Sequence, residues 1–334
     1  DERVLDLALR VLAAKQAGVE EVFFSRLVDP ETGLFAAPDK PSELFVVART
    51  LCDLLGGTCF AGWMPLEHDA SAMVFERPDG TELLALWKED ARSAVKEPLC
   101  LGENLVQVDL WGNRTPVPTF GSVSAVTLGP MPLFVTGIDP QISRTRRSFR
   151  LRDPVIAAAY RKLHADLEFA NGFNHPITGS LRLLPPKGWN LEPQVVRFCL
   201  AEGDRLVQPL VITVPCNETV GPKELRAEFR VEAKAAYHFL AVARAAFEMP
   251  TARTRATAFL EGSNVVIEHE ILCTAREPTG YQAYVQVPGR PMLCHFLPRL
   301  RPGESVTRRF LIPYTAALDE KVALVGLRDE TLDR

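Results

Sequence analysis

In residues 2–17 the apolar positions Val4, Leu7, Ala8, Val11 and Leu12 recur at steps of three and four, which places them on one face of a helix that Gly18 can end. A second helix is expected over 41–55, opened by Pro41, striped by Leu44, Val47, Ala48, Leu51 and Leu55, and closed by Gly56-Gly57. Between them Val19–Phe24 reads as a very apolar strand that runs into a polar loop with a DPETG turn. The order helix, strand, helix is one α/β unit. A strand buried on both faces needs a sheet covered by helices, and the pattern after residue 60 does not continue one.

From Phe60 to Ile138 the apolar positions fall into short alternating runs: SAMVFERPDGTELLALW with PDG as a hairpin turn, NLVQVDLWGNRTPV with WGN as another, then VSAVTLGPMPLFVTG. This is an antiparallel meander. Beyond it, HADLEFANGFNHPITGSLRLLPPKGWNLEP and the residues to 236 hold about seven short strands between NG, PPKG, EGD and NETVG turns, the rhythm of a β-sandwich. From Tyr237 onward the same rhythm returns in NVVIEHEILCTA, YQAYVQV and RRFLIPY. The expected fold class is therefore mainly β: a short α/β N-terminal segment over 1–59, an antiparallel β-domain over 60–142, and tandem Ig-like β-sandwiches over 143–236 and 237–334. The arginine-rich stretch RTRRSFRLR, 144–152, lacks interleaved stacking aromatics, which favours a solvated linker or edge strand over a nucleic-acid patch.

Composition narrows the functional classes. With 334 residues, 47% hydrophobic and 24% charged, the chain is an ordinary globular sequence long enough for two or three domains. A net charge of -4 gives no general attraction to nucleic acid or an anionic membrane. No apolar run approaches the roughly 18 residues of a membrane span. The chain opens inside a helical pattern with neither Met nor a signal segment, and so reads as truncated at its N-terminus. Seven cysteines at scattered spacings without a CxxC pair read as buried free thiols rather than a disulfide framework or a metal site. Six histidines show no HExxH spacing, no phosphate-binding glycine loop stands where it would matter, and no cofactor or metal is expected. NRT at Asn113 and NET at Asn217 match glycosylation acceptors.

FFSRLVDPETGL with its helix PSELFVVARTLCDLLGG, then LLALWKED, VQVDLWGNRTPVP, LGPMPLFVTGID and the P-x-GW turn of LLPPKGWNLEP, resemble the C-terminal part of retaining (β/α)8-barrel glycoside hydrolases. The resemblance covers most of the chain: the last barrel strand, loop and helix, the accessory β-domain and Ig-like modules. It implies a parent enzyme whose nucleophile and acid/base carboxylates, about 5 Å apart, lie on strands upstream of Asp1. This chain would then hold no catalytic residue and hydrolyse no glycoside. Its partners would be carbohydrate and the missing N-terminal barrel of the same protein, in an extracellular or periplasmic setting. Ser25, Arg26, Asp29 and Glu31 follow the strand, on the catalytic face, and can be read as sugar-binding groups; for Asp29, before Pro30, an Asx-turn or capping role stands beside that reading. Trp63 is the best stacking candidate among four tryptophans, with Trp87, Trp111 and Trp189 read as core or hinge aromatics. The alternative function is a non-enzymatic tandem Ig-like surface protein that binds glycans or proteins.

Overall fold

The computed structural model describes residues 2–23, 27–31, 33–89, 95–120, 123–157, 162–215, 218–315, 318 and 322–329. The fold is mainly β, with antiparallel sheets and three α-helices among the described residues. The chain divides into two compact units, 1–154 with 164–211 and 223–245, and 155–163 with 212–222 and 246–334.

In the first unit, α1 (Glu2–Gln16) ends as its glycine requires. Gly18, at φ +76°, donates its N–H to Lys15 O, and Val19 donates to Ala14 O, a Schellman closure that an L side chain would strain. The next segment departs from expectation. Val19–Phe23 form no strand, and the Phe23 side chain is 84% exposed; among the described residues no strand pairs with this backbone. After α2 (Glu43–Leu55) comes a six-stranded antiparallel sheet in the order Cys59–Trp63, Ser71–Glu76, Glu82–Trp87, Leu133–Thr136, Val106–Val108, Arg114–Pro116. The stripes of α1 and α2 (Val4, Ala8, Leu12, Val47, Leu51) bury against Met73, Phe75, Leu83, Ala85 and Phe134 of this sheet. The two helices thus cover an antiparallel sheet and are not the end of a (β/α)8 barrel. The WGN turn is held by Asp109, whose Oδ1 accepts the N–H of both Trp111 and Asn113, while Trp111 Nε1 donates to Glu43 Oε1 on α2.

The arginine-rich stretch is also neither linker nor edge strand over most of its length. α3 (Pro140–Ser148) starts on Asp139, whose carboxylate accepts the Gln141 N–H at 2.8 Å, with Pro140 at the first helical position. Its arginines reach protein acceptors: Arg147 meets Glu82 at 2.8 Å and Arg144 meets Glu76 at 3.1 Å. Beyond the helix, Arg150 meets Glu168 at 2.6 Å and Arg152 meets Asp166 at 2.9 Å.

The following sandwich is built around Phe149, Phe169, Phe198, Phe229 and Phe239, with Phe229 stacked on Phe239 at 5.0 Å and edge-on to Phe149 and Phe169. Its NG turn is pinned. Asn171 donates from Nδ2 to the carbonyls of His175 and Ala201 and accepts the Phe173 N–H. Gly172 lies so close to α3 that a Cβ there would stand 2.6 Å from Thr145 N and 2.7 Å from Gln141 O.

Among the described residues from 250 onward the second unit has six strands, labelled β1 (Ala252–Glu261), β2 (Asn264–Cys273), β3 (Thr279–Gln286), β4 (Leu293–Leu300), β5 (Ser305–Pro313) and β6 (Leu324–Asp329). They form two three-stranded antiparallel sheets, β1-β2-β5 and β4-β3-β6. Ile267, Ile271, Phe310 and Ile312 of the first sheet pack with Tyr281, Ala283, Val285 and Leu297 of the second. Tyr281 is fully buried, and its hydroxyl donates to Thr251 O at 2.5 Å.

The six described cysteines are free thiols, and Cys216 lies outside the described residues, as does Asn217. Cys52, Cys59 and Cys199 are exposed rather than buried. Cys52 sits off the apolar stripe of α2, and Cys199 is an outward position of the alternating strand Val195–Leu200.

Candidate functional site

Of the residues singled out in the sequence, Ser25 and Arg26 lie outside the described residues. Asp29 and Glu31 share one exposed turn in which Asp29 Oδ1 accepts the Glu31 N–H at 2.9 Å, an Asx-turn, and Asp29 N donates to Phe35 O. Trp63 ends the edge strand Cys59–Trp63, and its ring lies 6.2 Å from Phe60 and 6.1 Å from Trp87.

Two other arrangements were not visible in sequence spacing. The first, in the first unit, is a buried polar cluster. Glu97 is 1% exposed; its Oε1 accepts the Glu67 N–H at 2.9 Å and its Oε2 lies 3.4 Å from His68 Nδ1. Burial pushes this carboxyl up to about 7, opposed by the Glu67 N–H and by His68. His68 and Cys100 both hold positive φ, 57° and 45°, unusual for residues other than glycine. Lys88 Nζ donates to His68 O, Arg226 reaches Glu67 at 3.5 Å, and the buried Arg146 donates to Leu99 O. Burial lowers the Arg146 pKa and raises that of the Cys100 thiol. A raised thiol pKa is the wrong direction for a nucleophile, which needs thiolate. Among the described residues no group of three His, Cys, Asp or Glu is placed to hold a metal. The cluster pins the loop of Glu67–Asp69.

The second arrangement is a cleft of about 870 Å³ within the second unit. All six residues of β6 line it, together with Ala252, Arg253 and Thr254 at the start of β1, Val214 and Pro215, Glu218 to Gly221, and Phe247 to Pro250. On its floor Tyr284 of β3 stands opposite Gly326 of β6 and lies across the space a side chain at 326 would need, with 2.1 Å from the ring to an added Cβ. Arg328 sits over the Tyr284 ring at 5.4 Å from the centroid, donates to Gln282 Oε1 at 3.5 Å, and keeps its Nε buried with no acceptor among the described residues. Deeper in the same unit, His269 is 1% exposed and held at a pKa of about 4 by burial.

No protein-family model and no curated protein matches the chain. Among solved structures it is similar to the E. coli chaperone DraB at 11% identity and TM-score 0.23, over 51% of this chain and 87% of that one. The YadV chaperone matches at 8% and 0.24, over 55% and 99%. A complex of the Salmonella enterica SafA pilin with the SafB chaperone matches at 17% and 0.22, over 50% and 84%. The three structures are of chaperones, one with its pilin, and none is a glycoside hydrolase. The resemblance to the end of a barrel glycoside hydrolase is corrected on the packing of α1 and α2 against an antiparallel sheet. With it go the carbohydrate partner, the missing barrel and the reading of the chain as a support for a catalytic domain.

Proposed function

We propose that this chain is a non-enzymatic protein of β-sandwich type that binds another protein through its second unit. The observation that carries this reading is the cleft along β6. Its volume, about 870 Å³, is in the range of specific binding sites. All six residues of β6 line it, and strand edges are most readily satisfied by another polypeptide.

The test is to pan the purified chain against a random-peptide display library, with a glycan array in parallel. Peptides should be enriched on the native chain and lost on a Thr254→Lys variant, whose new charge would stand in the cleft on an already exposed strand position. Glycan binding without peptide enrichment would show that the reading is wrong.

A further inference from the structure

Residues 64–70 of the first unit join the edge strand Cys59–Trp63 to its neighbour Ser71–Glu76 and fold into a short turn at Glu67–Asp69. The turn closes loosely on itself: the Ala70 N–H reaches Glu67 O at 3.3 Å, and His68 stands at φ +57°. Among the described residues, four side chains from separate parts of the chain fasten it. Lys88 donates to His68 O, Arg226 meets the Glu67 carboxylate at 3.5 Å, and Arg244 donates to Ala70 O at 3.0 Å. The fourth is Glu97 of the strand Val95–Pro98, which accepts the Glu67 N–H at 2.9 Å and stands 3.4 Å from His68 Nδ1. Of the four only Glu97 is buried, at 1% exposed.

We propose that Glu97 is a proton-operated latch on this strap: with its proton the strap stays shut, and without it the strap lifts and lets the carboxylate reach water. A neutral carboxyl fits the closed site, since its carbonyl oxygen accepts the Glu67 N–H while its O–H can donate to His68 Nδ1. A carboxylate there keeps the first bond, needs the His68 Nδ1–H for the second, and holds a full charge away from water. The groups around it are Glu67, His68, Lys88, Arg226 and Arg244 on the strap side, with the buried Arg146 of α3 and Cys100; the paired strand Val123–Leu128 carries no charge. Burial, with the Glu67 carboxylate adding to it, pushes the closed carboxyl up to about 7 against the Glu67 N–H and His68. Once the strap lifts, the group meets water and returns toward its ordinary 4.5. The proton therefore favours closure, an advantage complete below 4.5 and lost as pH rises through about 7. From pH 5 to 8 the ratio of open to closed strap should rise about 70-fold.

The test is amide exchange of the whole chain from pH 5 to 8, without urea and in low urea. It is read at the Glu67 and Ala70 N–H and, for comparison, over Ala72–Phe75 in the adjoining strand, which is paired on both sides. The strap amides should exchange through a local opening that low urea leaves unchanged, with protection falling about 70-fold from pH 5 to 8. Glu97→Gln keeps the acceptor and the donor of the protonated form, and should abolish that fall. Strap amides that share the urea slope of Ala72–Phe75 would show that the turn opens only when the unit unfolds, and would overturn the latch. An undiminished pH dependence in Glu97→Gln would overturn it as well. Should that variant not fold, the Glu97 carboxyl signal in carbon NMR of the native chain decides: a midpoint near 7 that tracks the loss of strap protection supports the latch, and one near 4.5 removes it.

Discussion

Two strands show how differently the halves of this molecule treat their sheets. Glu82–Trp87, in the middle of the first unit's six-stranded sheet, is buried at all six positions, whereas nine of the ten residues of β1 in the second unit are exposed. Both are regular and both are fully paired with a neighbour. What separates them is cover. Over the first lie α1 and α2, whose leucines and valines meet Leu83, Ala85 and Trp87. Over the core side of β1 the opposing sheet of three strands does not extend far enough. Pairing satisfies the backbone, and a covering layer is what removes apolar area from water, at about 25 cal/mol per Å². The first unit has both; the second leaves one flank as pairing alone.

The largest expected effect lies in the aromatic core of the first unit. Phe229→Ala removes a fully buried ring that stacks on one phenylalanine and meets two others edge-on, and should cost about 3–5 kcal/mol in denaturant unfolding. Phe259→Ala on β1, where the ring is 40% exposed beneath Arg309, should cost less than about 1 kcal/mol. Similar losses at the two positions would break the contrast.

The second contrast is in pH. Glu97 holds its proton up to about 7 in the folded chain, above the ordinary carboxyl value of 4.5, so its contribution to stability is present at low pH and is lost as pH rises through about 7. His269 is held neutral down to about 4 against an ordinary 6.5, so its contribution is present above 6.5 and is lost as pH falls through about 4. Each swing should be roughly 3 kcal/mol. Unfolding followed separately in the two units, by amide exchange from pH 4 to 8, should give opposite slopes, flattened by Glu97→Gln in the first and His269→Phe in the second. Slopes of the same sign would sink the assignment.

Smaller effects sharpen the picture around α3. Gly172→Ala forces a methyl against the backbone of Thr145 and Gln141 and should destabilise the first unit by about 1–3 kcal/mol, visible as a lowered midpoint in urea. Asp139→Ala removes the cap of α3 and should cost about 1 kcal/mol, read the same way. A loss from Asp139→Ala exceeding that of Gly172→Ala would show that the helix start, not its approach to the NG turn, limits this region.

The elements that could be read from the sequence are those whose cause is local. The stripe of α1 and its glycine stop, the WGN hairpin on Asp109, and the alternation Val195–Leu200 each depend on residues within a turn or two of one another. Val19–Phe23 misled because apolar content suits a strand but cannot supply the neighbour that makes one. α3 was hidden because its six basic and hydroxylic residues look solvated, and only the carboxylates of Glu76 and Glu82, more than sixty positions earlier, reveal what they face. The cleft residues are spread from Val214 to Asp329 and share no motif. No spacing rule connects Tyr284 to Gly326; the sheet register does.

The turn at Asn171-Gly172 carries a consequence for the chemical ageing of the chain. An Asn-Gly pair loses ammonia when the glycine nitrogen attacks the asparagine side chain, which requires a mobile backbone and a freely rotating amide. Here the Gly172 N–H donates to Thr145 Oγ1 at 3.2 Å, and the Asn171 amide is held by the carbonyls of His175 and Ala201. The nitrogen and the carbon it would attack are thus fixed by different neighbours. Conversion to aspartate or isoaspartate would replace donors with a charge facing those two carbonyls, so the fold that slows this reaction is also the structure that would suffer from it.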